Sequence, residues 1–403
     1  MAGKRSHPSI PGRRITRRQF IHLAALAGAA VGAAACVPPA AEPAAPAAAS
    51  STPFSPAPSA LPLPTAAPSP IAGPLPTVAP SALPTVTAAP ATVPPSATAP
   101  LTAADIVKVY PAAPSVVVRT HHAGVWSGKD LAPAVLRQML DASITRLTGL
   151  NDARGAWAAL FRPDERIAIK VNTIYGSSIF THVPLVTAVV DSLVDAGIPA
   201  KQVTIYDRTR SELTHAGFKP NREGTGPRCL ATDELSHGYV GSYKIAGRIN
   251  ARLTSLLDNC DALINMPILK QHGMSGFSFA LKNHFGTCDN PAALHGDMAD
   301  TIPELNALPP IRQKTRLIVG DVLSYTLQDS WSTFKLGDAI CMSFDPVAHD
   351  TVGLQTFVDL KKAAGEKPDA HVARANGWLK NAAKLGLGTN ELQNIRLEEI
   401  KLA

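Results

Sequence analysis

The chain has 403 residues, 38 Lys and Arg against 31 Asp and Glu, and a formal net charge of +7. Six of those cations, Lys4, Arg5, Arg13, Arg14, Arg17 and Arg18, lie before Cys36 with no acid among them, which leaves 32 basic against 31 acidic side chains in the rest. A body so close to neutral lacks the concentrated positive face that a phosphate backbone demands, and this argues against nucleic acid as a partner.

The first element is a leader over residues 1–36. Arg17 and Arg18 precede an apolar run over residues 23–35. A basic start, a short apolar core and a small-residue exit describe a cleavable leader, since a membrane span needs roughly 20 apolar residues. The pair of arginines looks like a twin-arginine export signal, which implies the twin-arginine export machinery as a partner and a domain that folds before it leaves. The leader ends at Ala33, Ala34, Ala35 and Cys36. Cys36 is in the place of a lipidated cysteine, but the position three residues before it is Ala33, where the usual lipoprotein pattern has Leu. Two outcomes stay open. Lipidation of Cys36 would tie the chain to the membrane at the outer face of the cell envelope, and ordinary cleavage would secrete it.

Residues 37–104 are almost entirely Ala, Pro, Ser and Thr, and 19 of the 36 prolines fall between Val37 and Pro100. With no apolar period and no core to bury, this stretch is expected to be a disordered tether. In polyproline geometry, at about 3.1 Å per residue, it would reach on the order of 200 Å.

Residues 105–403 are long enough for a substantial α/β domain. β-branched runs predict strands at 115–120, 166–171, 202–206, 262–265, 316–320 and 339–344. An amphipathic helix is expected over 131–147. A second follows Thr181 or His182 as cap, with Pro184 in its first turn and Gly197 as its stop. A third opens at Asp345 and Pro346 and runs to about Val358. Alternating strands and helices imply a Rossmann-like α/β fold, a mainly parallel sheet flanked by helices. Cys229, Cys260, Cys288 and Cys341 show no C-x-x-C pair, so their choice lies between disulfides and buried thiols.

In such sheets ligands bind beyond the carboxyl ends of the strands. Lys170 and Asn172 close the second strand, Asp207 the third, Asn265 the fourth and Asp321 the fifth. The densest cluster follows: Lys270, His272, Lys282, Asn283, His284 and His295 within 26 residues of one another. Lys270 and His272 stand two apart and share a face if extended. Lysines supply positive charge and histidine a proton donor or acceptor. The pattern predicts a site for a small anionic ligand such as a carboxylate or phosphate. Lys270, His272 and Lys282 would be catalytic, with His272 as base or metal ligand. Lys170, Asn172, Asp207, Asn265 and Asn283 would bind the ligand. His182, His272 and His295 could together hold a metal ion or a metal-containing cofactor. Against this stand blander readings, namely surface lysines and structural histidines. No nucleotide-binding glycine motif, nucleophile elbow or zinc-protease motif is present.

Several ordered phrases resemble domain-of-unknown-function family 362 (DUF362) over roughly residues 119–400. They are Ile169–Lys170–Val171–Asn172 with Thr181–His182–Val183–Pro184, Val203 to Asp207, Ile264 to His272, Ala280 to Asn283 with Gly286, Asp345 to Ala348 with Asp350, and Leu385 to Gly388. Many members carry a fused iron–sulfur domain, for which this chain has no cysteine run. The resemblance implies a fold and no reaction. His272, Lys282 and His295 also follow the order of a histidine, a lysine and a histidine in the nickel-pincer lactate racemases, which implies a distant racemase-like enzyme as an alternative. A tethered binding protein without chemistry is the other.

Overall fold

The computed structural model describes residues 114–329 and 333–403. Arg17, Arg18, Cys36 and the tether expected over 37–104 lie outside the described residues. Among the described residues no helix is long and apolar enough to cross a membrane.

The elements, in chain order, are β1 (Ser115–His122), β2 (Trp126–Ser127), β3 (Asp130–Leu131), α1 (Pro133–Thr148), α2 (Ala153–Leu160), β4 (Ile167–Lys170), α3 (Val183–Asp195), β5 (Val203–Asp207), α4 (Arg210–His215) and β6 (Arg228–Ala231). The hairpin β7 (Tyr239–Ile245) and β8 (Ile249–Thr254) precedes β9 (Ala262–Asn265), β10 (Ile268–His272) and β11 (Gly276–Ser278). Short helices α5 (Ala280–Asn283) and α6 (Pro291–Leu294) lead into α7 (Met298–Ala307) and α8 (Pro309–Arg312). β12 (Thr315–Thr326), β13 (Lys335–Ser343), α9 (Pro346–Ala363), α10 (Asp369–Lys384) and β14 (Ile395–Leu402) complete the chain.

The main sheet runs β14-β1-β13-β12-β9-β4-β5-β6, with β10 and β11 joined to it through β12. Every neighbouring pair on that path is parallel except those made by β13, which is antiparallel to both β1 and β12. The expected α/β fold with a mainly parallel sheet is therefore present. β4 and β9 are buried at every position, as strands covered on both faces must be. Alternation divides them between two cores. Ile167 and Ile169 join Leu136, Met139, Leu185 and Val189 from α1 and α3 on one face. Ala168 and Leu263 join Ile302, Phe357 and Trp378 from α7, α9 and α10 on the other.

Some expectations change in detail. Neither Thr181 nor His182 caps α3 with its side chain. Thr181 instead donates to the Met266 carbonyl and accepts from Asn172 N–H, tying two strand exits together. Asp321 does not close a strand, because β12 continues to Thr326. Asp345 does cap α9, accepting from Val347 and Ala348 N–H at 2.8 Å each. The four described cysteines are free and buried, which settles their choice in favour of thiols.

Candidate functional site

The carboxyl ends of β4, β5 and β9 lie side by side: register pairs Lys170 with Asn265 and with Tyr206, and Asp207 follows one residue beyond. Lys170 is 1% exposed and Asp207 3%, and Lys170 Nζ donates to Asp207 Oδ1 at 2.7 Å. Asp207 Oδ2 accepts from Thr173 N–H at 2.8 Å and from the Thr173 hydroxyl at 2.9 Å. Burying such a pair costs desolvation unless further hydrogen bonds satisfy it, and here they do. Gly286 faces this pair. A Cβ there would lie 2.8 Å from Asp207 Oδ1 and 2.9 Å from Lys170 Nζ, so the close approach needs glycine.

An amide chain extends outward. Asn265 donates to the Ala280 carbonyl at 2.8 Å, Asn283 donates to Asn265 Oδ1 at 2.7 Å, and Asn172 donates to Asn283 Oδ1 at 2.9 Å. Asn172 Oδ1 then accepts from Lys270 Nζ at 2.6 Å. Every amide orientation in this chain is fixed by its neighbours.

α5 carries Lys282 and Asn283. Its first turn is held by Asp350 of α9, whose carboxylate accepts from Ala280 N–H at 2.8 Å and Leu281 N–H at 2.9 Å. Asp350 also faces His349 Nδ1 at 3.0 Å, while His349 Nε2 faces the Cys341 carbonyl at 3.3 Å. Both ring nitrogens meet acceptors, which suits an imidazolium. Burial works against that charge, yet Cys341 and Asp350 together raise the ring to about 9.

A cavity of about 70 Å³ opens above these groups. Lys170, Asn172, Asp207, Lys270, His272, Lys282, Asn283 and His295 all line it. Asn265 lies beneath as the partner of Asn283 and faces a separate cavity beside α8. The lining lysines differ in their partners. Lys170 is matched by Asp207, and Arg208 by Glu212 at 2.9 Å. Among the described residues neither Lys270 nor Lys282 forms an ion pair. Lys270 lies 4.4 Å from the centre of the Tyr175 ring and Lys282 4.2 Å from that of Phe285. Burial, then the charge of Lys282, pushes Lys270 down to about 7, and burial pushes Lys282 down to about 7.

The two pocket histidines stack with ring centres 5.4 Å apart. His272 Nδ1 accepts from Met274 N–H at 3.3 Å and Ser275 N–H at 3.2 Å. Its proton therefore sits on Nε2, which makes it a donor and corrects the expectation of a base at this position. Burial, then Lys282, pushes its protonated form out of reach, to about 2. His295 has the opposite arrangement. Its Nδ1–H donates to the Pro291 carbonyl at 2.7 Å, and its Nε2 accepts from Lys282 Nζ at 3.3 Å. Burial and Lys282 lower it to about 4.

The three histidines expected as metal ligands are not brought together. His182 turns to Asp321, with Nδ1 at 2.8 Å from Oδ2, and packs against Trp126 and Phe180. Among the described residues no three His, Cys, Asp or Glu side chains gather as metal ligands. Two stacked imidazoles without a third donor do not fit a metal ion held by protein side chains. Sequence reasoning assigned no site role to Thr173, Tyr175, Phe285 or Asp350, although Asp350 stands in one of the family phrases. The spacing of Pro291 and His295, four apart across a short helix, was a usable local signal.

An α/β domain with a cationic pocket over parallel strand ends is the class these features define. Residues 167–355 match the family described as "Domain of unknown function (DUF362)". No curated protein matches it. Among solved structures it is similar to a Thermotoga maritima protein at 13% identity and a TM-score of 0.30, over 64% of this chain and 60% of that one. It is also similar to the lactate racemase apoprotein of Thermoanaerobacterium thermosaccharolyticum at 11% identity and a TM-score of 0.33, over 59% of this chain and 56% of that one. The chain thus matches less than two thirds of the length of either.

Proposed function

We propose that this protein is exported, held at the cell envelope through Cys36 and the tether, and uses its pocket to bind a small anion and transfer protons on it. The supporting observation is the charge balance of the lining. Lys170 and Arg208 are matched by carboxylates, whereas among the described residues no carboxylate pairs with Lys270 or Lys282. A carboxylate or phosphate of a few heavy atoms suits a cavity of about 70 Å³. Lys270, fixed by Asn172, would hold the negative charge. His272 Nε2–H would donate to a ligand oxygen, and His295 Nε2 would take a proton. Asn172 and Asn283 would keep the two lysines in register.

Calorimetric titration with lactate, pyruvate and inorganic phosphate tests the binding. At least one should bind the full chain, and Lys270→Ala with Lys282→Ala should weaken it more than tenfold, about 1.4 kcal/mol per factor of ten. Equal affinity in the double variant would end the anion reading. Binding without turnover on hydroxy acids and phosphate esters would reduce the domain to a tethered receptor. For the export reading, Arg17→Lys with Arg18→Lys should leave the protein in the cytoplasm, and unchanged fractionation would remove it.

A further inference from the structure

We propose that Lys282 is a nucleophilic amine that forms an imine with a small oxo acid, its carboxylate held by Lys270. This rests on the pocket being an anion site and adds the class of substrate and the covalent step. Three observations converge on Lys282. Among the described residues its only hydrogen-bond partner is His295 Nε2 at 3.3 Å. That nitrogen is the accepting one because Nδ1–H is spent on the Pro291 carbonyl at 2.7 Å. Lys282 is 7% exposed and its Nζ lies 4.2 Å from the centre of the Phe285 ring, and among the described residues no carboxylate pairs with it. A nucleophile, a base within reach and a group that orients the base form the arrangement by which weak nucleophiles are activated, and desolvation beside a second cation favours the free amine. Burial lowers Lys282 toward neutrality, in agreement with that geometry.

Lys270 differs in kind. Its Nζ is tied to Asn172 Oδ1 at 2.6 Å, an amide oxygen that can only accept and so favours the ammonium. One lysine is thus set up as a charge and the other as an amine. In the step, the Lys282 lone pair attacks the carbonyl carbon and the carbon–oxygen π pair moves to oxygen. His295 takes the proton released from nitrogen and returns it to that oxygen, to which His272 Nε2–H donates a hydrogen bond. The second nitrogen proton follows the same route to that oxygen, water leaves, and a neutral imine remains. No oxidant, reductant or cofactor is consumed.

The test is reductive trapping of the full chain with pyruvate and cyanoborohydride, followed by intact-mass and peptide analysis. One reduced adduct on Lys282 is expected. Lys282→Arg, which keeps the bulk but offers no amine nucleophile, should lose it while still binding pyruvate within about tenfold, since Lys270 still holds the carboxylate. His295→Gln should slow trapping by about 100-fold or more, the usual contribution of a positioned base. Adduct on a different lysine, or none while pyruvate binds, would overturn the imine and leave the anion reading standing. Failure of pyruvate, lactate and phosphate alike to bind would overturn both.

Discussion

Lys170 and the pair Lys270 and Lys282 are almost equally buried, yet the protein treats them oppositely. Lys170 meets Asp207 at 2.7 Å, and the carboxylate is satisfied in turn by Thr173 and by Arg208 N–H. Lys270 and Lys282 meet an amide oxygen and an imidazole nitrogen. The first arrangement is satisfied without a ligand and ties the ends of β4 and β5 together. The second leaves charge uncompensated, which costs stability and is retained where chemistry needs it. Burial of a lysine therefore does not by itself mark a functional site here. On the proposed reading, the missing counter-ion does.

The largest effect that would break this contrast is Asp207→Ala. It strands the Lys170 ammonium in the protein interior, and losing one partner of a buried pair costs about 3–5 kcal/mol. Urea unfolding measures it, and a loss under 1 kcal/mol would mean that the pair is not structural. Replacing both pocket lysines should act in the opposite direction and depend on pH. Their folded-state values near 7 lie below the ordinary 10.5, so between those limits the unfolded chain binds more protons than the folded one. Stability therefore rises with pH over that window, by a few kcal/mol at most. Below pH 7 both states are protonated and the full burial penalty stays. Lys270→Met with Lys282→Met should abolish this component of the slope, read as the difference between variant and native unfolding curves. Binding of an anion should show the reverse trend, weakening as pH rises through 7 and the ammonium groups are lost. Parallel trends would contradict the assignment of charge to these two lysines. A smaller effect, about 1–3 kcal/mol of overpacking, is expected for Gly286→Ala, because the new Cβ would press on both Lys170 and Asp207.

The parts legible in the sequence were those with a local signature. Lys170, Asp207 and Asn265 stood out because buried parallel strands read as apolar runs, and a polar residue at the end of each marks the exit. Lys270 and His272 shared a face because β10 is extended. What stayed hidden depended on long-range placement. Asp350 holds α5 from 70 residues away, and nothing near it announces that partner. The tautomer of His272 follows from two backbone N–H groups in the turn after β10, and turn geometry is not written in side-chain spacing. His182 was grouped with the other histidines by chemistry alone. The strand continuing past Asp321 keeps an acceptor beside it and draws it off to a separate contact.

The smallest expected effect comes from a pair with the same chemistry and a different solvent. Arg166 and Asp261 meet at 2.9 Å with side chains 53% and 40% exposed. The hydrogen bond from Arg166 holds Asp261 down at about 2, yet water screens both charges and reclaims them when the contact breaks. Exposed pairs contribute roughly 0.2–1 kcal/mol. Asp261→Asn keeps an acceptor for Arg166 N–H, which Asp261 Oδ2 now serves at 2.8 Å, so its cost should stay in that range and vanish in high salt. Measured beside Asp207→Ala, it contrasts a screened pair with a buried one, since each variant removes one carboxylate from one cation. A cost for Asp261→Asn comparable to that of Asp207→Ala would show that proximity alone sets these energies, and the division of the buried lysines into structural and chemical groups would lose its physical basis.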